Sequence, residues 1–242
     1  MLLLALDTSS PQGSLALAEL TEQRIRLLGE QHWQREKSHS ELVTVTLQNL
    51  LRDTQKELHQ LDGVLVGVGP GSFTGIRVGV SLARALGFSL QRPVWSTNSL
   101  HLWAQSQSQS RIPVLVVMKA FRDIVYAAAY QLDQGLAREI WSPEALQVAD
   151  LPKRLTTTGP LVVVGDGWVP FLDQWPAELK ARVQLSENCF PEARNLFTIF
   201  VQGDRKLQPQ SWKNVKPLYI RGSEAEEKLR QGLLKPVPTR QR

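Results

Sequence analysis

A strand, a glycine loop and a helix follow one another in the segment from residue 64 to residue 90. Residues 64–68 form a short run rich in β-branched residues, which is typical of a buried strand. Gly69, Pro70 and Gly71 cannot continue that strand, and Ser72 is a suitable N-cap for a helix that starts at Phe73. This strand–loop–helix unit predicts an α/β fold.

Small residues recur at every fourth position of the predicted helix, at Gly75, Gly79, Ala83 and Gly87. A glycine inside a helix costs about 1 kcal/mol relative to alanine, so three glycines at one spacing need a structural reason. Residues four apart lie on one face of a helix, and small side chains there let another backbone approach closely. We predict that this backbone belongs to a partner subunit or to a second copy of the chain.

Further residues are expected in the same interface. Arg77 lies on a polar edge beside the small residues. A second helix is predicted to start at Ser38, because Ser38 and Glu41 have the spacing of a capping box and apolar residues follow with helical period. We expect this helix to pack beside the first one, so that Ser38 and Glu41 also face the partner.

The second half of the chain repeats the strand-rich opening of the first half. Strands are predicted at 1–6, 14–20 and 24–30, and again at 112–118, 125–130 and 138–141. The polar run at 105–110 predicts a junction between two lobes. The sequence Ser142-Pro143-Glu144 is typical of a helix start, so we predict a helix there.

Several motifs resemble those of one protein family. The sequence GVGPGSFTGIRVGVSLARALG at 67–87 resembles the signature of the TsaB (YeaZ) family of bacterial tRNA-modification proteins. The sequences LLLALDTSS at 2–10, HSEL at 39–42 and KPLYIR at 216–221 resemble its other landmarks in the same order. The resemblance implies a two-lobed, actin-like fold of ribonuclease-H type (the ASKHA superfamily) with duplicated lobes. The lobes are then expected at 1–104 and 105–222, followed by a flexible basic tail at 223–242.

The resemblance also implies a function. It predicts a non-catalytic subunit in the synthesis of threonylcarbamoyladenosine beside the tRNA anticodon. Its partners are then the catalytic subunit TsaD, which pairs with helices of the first lobe and holds the ATP and the metal, and TsaE. We expect no cofactor of its own, a cytoplasmic location, and contact with tRNA through the complex; whether the chain dimerises when alone stays open. The six apolar residues at the start are too short for a signal peptide or a membrane span.

A nucleotide site is a weaker expectation. In active members of the superfamily, the acid at the position of Asp7 helps to hold a metal–nucleotide complex. The resemblance therefore makes Asp7, Gly69, Gly71 and Ser72 candidates for the edge of a nucleotide site. However, no lysine follows Gly75 as a Walker A motif requires, and Lys119 occupies a position where the family usually has an acid.

The expected catalytic motifs are missing. In TsaD this region carries two metal-binding histidines as HxxxH, whereas STNSLHLWAQ at 96–105 contains the single histidine His101. We therefore predict no metal site and no catalytic residue. Three alternatives remain: a stand-alone phosphotransferase or ATPase of the ASKHA type, a peptidase, and a general protein-interaction scaffold. ATP turnover by the pure chain distinguishes the first of these.

The charge is concentrated near the C-terminus. The net charge is +5, but ten basic and four acidic residues lie at 203–242, which leaves 18 basic and 19 acidic residues elsewhere. Two readings are open: the basic tail adds a salt-dependent attraction to RNA, or it is a plain soluble extension. The single cysteine, Cys189, excludes an internal disulfide.

Overall fold

The first lobe is built on a five-stranded mixed sheet. The computed structural model describes residues 1–21, 24–34, 39–187, 190–202 and 207–221. In the order β3-β2-β1-β4-β5, the strands are β1 (Leu2–Asp7), β2 (Gln12–Leu20), β3 (Ile25–Gln34), β4 (Gly63–Gly67) and β5 (Val94–Thr97). The first three strands are antiparallel, whereas β4 and β5 run parallel to β1. The helices of this half are α1 (His39–Asp53), α2 (Phe73–Ser89) and α3 (Ser99–Gln105).

The second lobe repeats this sheet. Its strands are β6 (Val114–Lys119), β7 (Ile124–Asp133), β8 (Leu136–Gln147), β9 (Leu161–Val164) and β10 (Val183–Leu185). Read as β8-β7-β6-β9-β10, they have the same order and the same directions as the first five strands. Short helices α4 (Leu151–Arg154) and α5 (Ala177–Lys180) and the longer α6 (Asn195–Gln202) complete the lobe. The predicted two-lobed, actin-like α/β fold with duplicated lobes is confirmed.

The predicted helix start at Ser142 is wrong, because β8 continues through it. Glu144 pairs with Ala127 and Trp141 pairs with Ala129, so that Ser142 and Pro143 form a bulge between these two pairs. Proline has no N–H group and cannot donate a hydrogen bond to a neighbouring strand. A bulge on an edge strand tolerates it, because no ladder hydrogen bond is required there. The local Ser-Pro-Glu pattern therefore marks a bulge in the strand here.

The core consists of apolar layers on both faces of each sheet. Helices α1 and α2 cover the outer face of the first sheet, against residues such as Leu4, Leu6 and Val66. Helix α6 packs on its inner face, and α3 packs against the second sheet. The buried side-chain amide of Gln105 fixes α3 to the β7–β8 hairpin, since it donates to the Gly135 carbonyl at 2.7 Å and accepts from the Ala137 amide at 3.0 Å.

The segment at 207–221, which we call the C-terminal strap, returns to the first lobe. Gln210 pairs with Val94 at the edge of β5, and Val215 is fully buried in the core under α2. The Leu218 amide donates to the Val68 carbonyl at 2.7 Å. The strap thus packs on the first lobe, although the sequence analysis assigned it to the lobe at 105–222.

Three predictions fall outside the described residues. They concern Ser38 as a helix cap, Cys189, and the tail at 223–242. In the ranges that the structure describes, no helix is both long and apolar enough to cross a membrane.

Candidate functional site

A cleft of about 450 Å³ opens between the two lobes. It lies at the carboxyl ends of β1 and β6, which is where open α/β sheets commonly bind ligands. Its walls come from the turn after β1, the start of α2, the end of β6, the loop after β9 and the end of the strap. The residues that line it include Ser9, Gly71, Ser72, Lys119, Asp166 and Tyr219.

The start of α2 forms one wall of the cleft. Ser72 caps the helix as predicted, because its hydroxyl accepts a hydrogen bond from the Gly75 amide at 3.3 Å. The Ser72 amide donates to the Ser9 carbonyl at 2.7 Å, which ties the loop to the turn after β1. A side chain at Gly71 would place its Cβ atom 2.2 Å from that carbonyl oxygen, so this close approach requires glycine. Of the predicted nucleotide-edge residues, Gly71 and Ser72 therefore line the cleft.

The other two predicted nucleotide-edge residues, Asp7 and Gly69, do not line the cleft. Asp7 is fully buried beneath it. Its Oδ1 atom accepts from the Ser9 amide at 2.8 Å and the Ser9 hydroxyl at 2.7 Å, and its Oδ2 atom accepts from the Ser99 hydroxyl at 2.6 Å. Ser99 in turn accepts from the Gly69 amide at 2.9 Å. Burial raises the pKa of the Asp7 carboxyl, and these hydrogen bonds offset part of that effect.

In the second lobe, Lys119 occupies the position equivalent to Asp7, at the end of the six-residue strand β6. Its amide donates to Asp166 Oδ1 at 2.8 Å, while burial raises the pKa of the Asp166 carboxyl. The cleft therefore presents a lysine where a metal–nucleotide complex would need an acid, and the acid of the first lobe is fully buried and already accepts three hydrogen bonds from Ser9 and Ser99. Within the described ranges, no three His, Cys, Asp or Glu side chains group as metal ligands. These residues do not fit a metal–nucleotide complex.

The single histidine of the HxxxH region takes part in packing between the lobes. The Nε2 atom of His101 lies 2.7 Å from the Ala137 carbonyl oxygen. Its ring stacks on Tyr130 with a centroid distance of 5.3 Å and an interplanar angle of 15°. Tyr130 donates through its hydroxyl to Asn98 Oδ1 at 3.0 Å, and Asn98 caps α3. The imidazole thus connects α3 to the second sheet.

The stripe of small residues lies inside its own lobe, so the predicted intermolecular role of Gly75, Gly79, Ala83 and Gly87 is wrong. All four residues are buried. A Cβ atom would lie 2.1 Å from the Thr8 carbonyl oxygen at Gly75, 2.4 Å from Thr8 Oγ1 at Gly79, and 2.7 Å from Val94 Cγ2 at Gly87. The close approach is real, but it comes from this lobe: the Thr8 backbone just after β1 approaches Gly75, the Thr8 side chain approaches Gly79, and the Val94 side chain at the start of β5 approaches Gly87.

Two of the residues predicted for the partner interface are exposed, one on α2 and one on α1. Arg77 is exposed, and so is Glu41 in the first turn of α1. The Arg77 Nε atom donates to the Tyr219 hydroxyl at 2.9 Å, and its guanidinium carbon lies 3.8 Å from the centroid of the Phe73 ring. Tyr219 lies within the KPLYIR motif, but no local pattern predicts its contact with Arg77, which is 142 positions away.

Comparison with known proteins places these observations in a family. Residues 33–163 match the family model described as TsaD, tRNA N6-adenosine threonylcarbamoyltransferase. The chain is 27% identical over 241 residues to the tRNA threonylcarbamoyladenosine biosynthesis protein TsaB of Escherichia coli strain K12, with 95% of the chain and 98% of that protein covered. It is 31% identical over 150 residues to the protein of the same name from Bacillus subtilis strain 168, with 62% and 64% covered, so the match spans slightly less than two thirds of that relative.

A solved structure has the same architecture. YeaZ from Pseudomonas aeruginosa superposes with a TM-score of 0.74 at 28% sequence identity, covering 90% of this chain and 99% of that one. The family model spans more than half of the chain, and these relatives carry the TsaB or YeaZ name. The chain therefore belongs to the TsaD family of tRNA N6-adenosine threonylcarbamoyltransferases and, within it, to the TsaB/YeaZ proteins.

Proposed function

We propose that the chain is a non-catalytic subunit in the synthesis of threonylcarbamoyladenosine in tRNA, and that it supports a separate catalytic subunit, TsaD. The observation that carries this proposal is that neither of the two acid positions at the interlobe cleft presents a carboxylate to it. Asp7 is buried and bonded to Ser9 and Ser99, and Lys119 replaces the second acid. With the two acid positions unfit to hold a metal–nucleotide complex, ATP and metal belong on TsaD. TsaE and tRNA then join through the complex, in the cytoplasm where tRNA is found.

The outer faces of α1 and α2 are the proposed docking surface for TsaD. Leu42, Val78 and Leu82 are only partly buried between these helices, and Val45 is 52% exposed. Ala85 is exposed on α2, three residues after Leu82 and seven after Val78, and therefore lies on the same face as these two residues. Such an apolar seam with a polar rim is typical of a protein interface. If the chain dimerises when TsaD is absent, a second copy would dock on the same seam.

The function is tested by copurification with TsaD, followed by a tRNA modification assay from which each subunit is omitted in turn. We expect modification only when both subunits are present, and negligible ATP hydrolysis by this chain alone. Metal-dependent ATP turnover by the pure chain, lost in Asp7→Asn, would instead establish a stand-alone ATPase. A chain that recovers no TsaD and is dispensable for modification would favour a scaffold with other partners.

The docking surface makes its own prediction. The double substitution Val45→Arg and Ala85→Arg places two charges in the apolar seam, where a partner would have to bury them unpaired. We expect at least a tenfold loss of TsaD affinity in a pull-down titration, with the thermal unfolding midpoint unchanged because both sites are exposed. Val169→Arg on the second lobe, where Val169 is 65% exposed, is the matched control and should bind normally. Equal losses in both variants would place the interface elsewhere.

A further inference from the structure

Two acid-free segments of the chain pack against each other. No Asp or Glu occurs between Asp62 and Asp123, a stretch with six Lys or Arg residues, and none occurs in the strap at 207–221, which has three. The strap runs antiparallel along α2, with Trp212 against Phe88 near the end of the helix and Tyr219 against Phe73 at its start. The folded chain therefore brings together cations from two segments and no carboxylate from either.

Each cation on this surface lies against an aromatic ring. Arg77 contacts Phe73 and Tyr219, with its guanidinium carbon at 3.8 Å and 5.9 Å from the ring centroids. The guanidinium carbon of Arg84 lies 5.9 Å from the Trp212 centroid, and the Lys213 ammonium lies 5.4 Å from it. In the part of the chain that the structure describes, none of these three cations forms an ion pair.

The cluster around Arg77 and the cluster around Arg84 and Trp212 lie on one side of α2. Arg77 and Arg84 are seven residues apart, which is two helical turns or about 10 Å along the axis. Phe88 is 56% exposed and Tyr219 is 42% exposed, so the rings are accessible between the cations. We call this surface the basic aromatic surface, consisting of Arg77, Arg84, Phe88, Trp212, Lys213 and Tyr219.

We propose that the basic aromatic surface binds RNA, contacting the phosphate backbone through its cations and unstacked bases through its exposed rings. Phosphates supply the counter-charges that the described residues do not provide to these three cations, and exposed rings stack on bases regardless of sequence. A protein docked on this surface would have to bury three cations that form no ion pair among the described residues, which is costly, so the seam proposed for TsaD is confined to the side of α2 that carries Val78 and Leu82. Only the identity of the RNA as tRNA rests on the proposed function; the binding chemistry rests on the surface.

The test measures the affinity of the full-length chain for a labelled, unmodified tRNA transcript over a series of salt concentrations, without TsaD. The double variant Arg84→Glu and Lys213→Glu should bind at least tenfold more weakly. The slope of log affinity against log salt should become shallower by roughly 1.4 to 1.8, because two phosphate contacts are lost. The matched control, Arg111→Glu and Lys180→Glu on the second lobe, has the same change in net charge and should bind as the unaltered chain does.

Each remaining outcome overturns the proposal. Equal weakening in both double variants would attribute binding to overall charge, and no weakening in either would place the RNA elsewhere. If the Arg84→Glu and Lys213→Glu variant keeps its tRNA affinity but no longer copurifies with TsaD, the surface binds protein instead. If it keeps its tRNA affinity but no longer binds phosphatidylserine vesicles, the surface binds membranes instead.

If charge reversal lowers the unfolding midpoint, Arg84→Gln with Lys213→Gln gives the same slope test. A failed tRNA result leaves the proposed function intact, because the subunit-omission assay judges that separately.

Discussion

Replacing Gly79 by leucine is expected to destabilise the isolated chain strongly. A Cβ atom at Gly79 would lie 2.4 Å from Thr8 Oγ1, and that hydroxyl is held by its own hydrogen bond to the Gly75 carbonyl at 2.7 Å. A leucine must therefore push α2 away from the end of β1. We estimate a loss of about 4 kcal/mol, at the upper end for overpacking, against a total stability of roughly 5–15 kcal/mol.

The measurement is urea-induced unfolding of Gly79→Leu beside Ser81→Leu. Both substitutions introduce leucine into α2 and raise its helix propensity, but Ser81 is exposed on the outer face. Ser81→Leu should therefore stay within about 0.5 kcal/mol of the unaltered chain. A stable Gly79→Leu chain that has lost only TsaD binding would restore the intermolecular interpretation of the stripe.

This stripe shows where sequence reasoning stops. A four-residue period of small side chains establishes that another backbone comes close, because only glycine leaves the room. The period contains no information about which backbone that is. Thr8 precedes Gly79 by 71 positions, and their contact depends on how β1 and α2 meet in the finished lobe. A partner helix and a neighbouring strand produce the same pattern in the sequence.

Local signals fared best where the responsible contacts are also local. Ser72 caps α2 through an amide only three residues away, and the buried strands follow their apolar runs. The pattern at Ser142 misled because a helix start and a bulge in an edge strand use similar residues, and the choice depends on pairing with β7. The basic aromatic surface was missed for the same reason, since Arg84 and Trp212 meet only after the strap folds back.

Asp7 has a structural role that the sequence did not indicate. The family resemblance made this acid only a weak candidate for the edge of a nucleotide site. Its carboxylate instead joins the turn, α3 and, through Ser99, the loop at Gly69. Ser99 lies 92 positions further along the chain, so no local pattern predicted this bond.

Asp7→Ala is expected to lower the free energy of unfolding by about 3 kcal/mol or more, because the Ser9 amide and the Ser9 and Ser99 hydroxyls lose their acceptor in a fully buried place. Asp7→Asn is the matched control. It keeps the shape and one carbonyl acceptor, so its loss should be within about 1 kcal/mol. Urea-induced unfolding at neutral pH measures both, and equal losses in the two variants would contradict an acceptor role.

The pH dependence of the same comparison tests the protonation of Asp7. Burial raises the pKa of this carboxyl above 3.8, so the folded chain binds the proton more tightly than the unfolded chain does. The stability that protonation of Asp7 contributes is then fully present below pH 3.8 and is lost as the pH rises through the folded pKa, whereas the carboxyl remains a hydrogen-bond acceptor at neutral pH. Since asparagine does not titrate, the unfolding free energy of the unaltered chain should fall relative to that of Asp7→Asn over this range. A relative rise would mean that the three serine hydrogen bonds stabilise the carboxylate more than burial destabilises it.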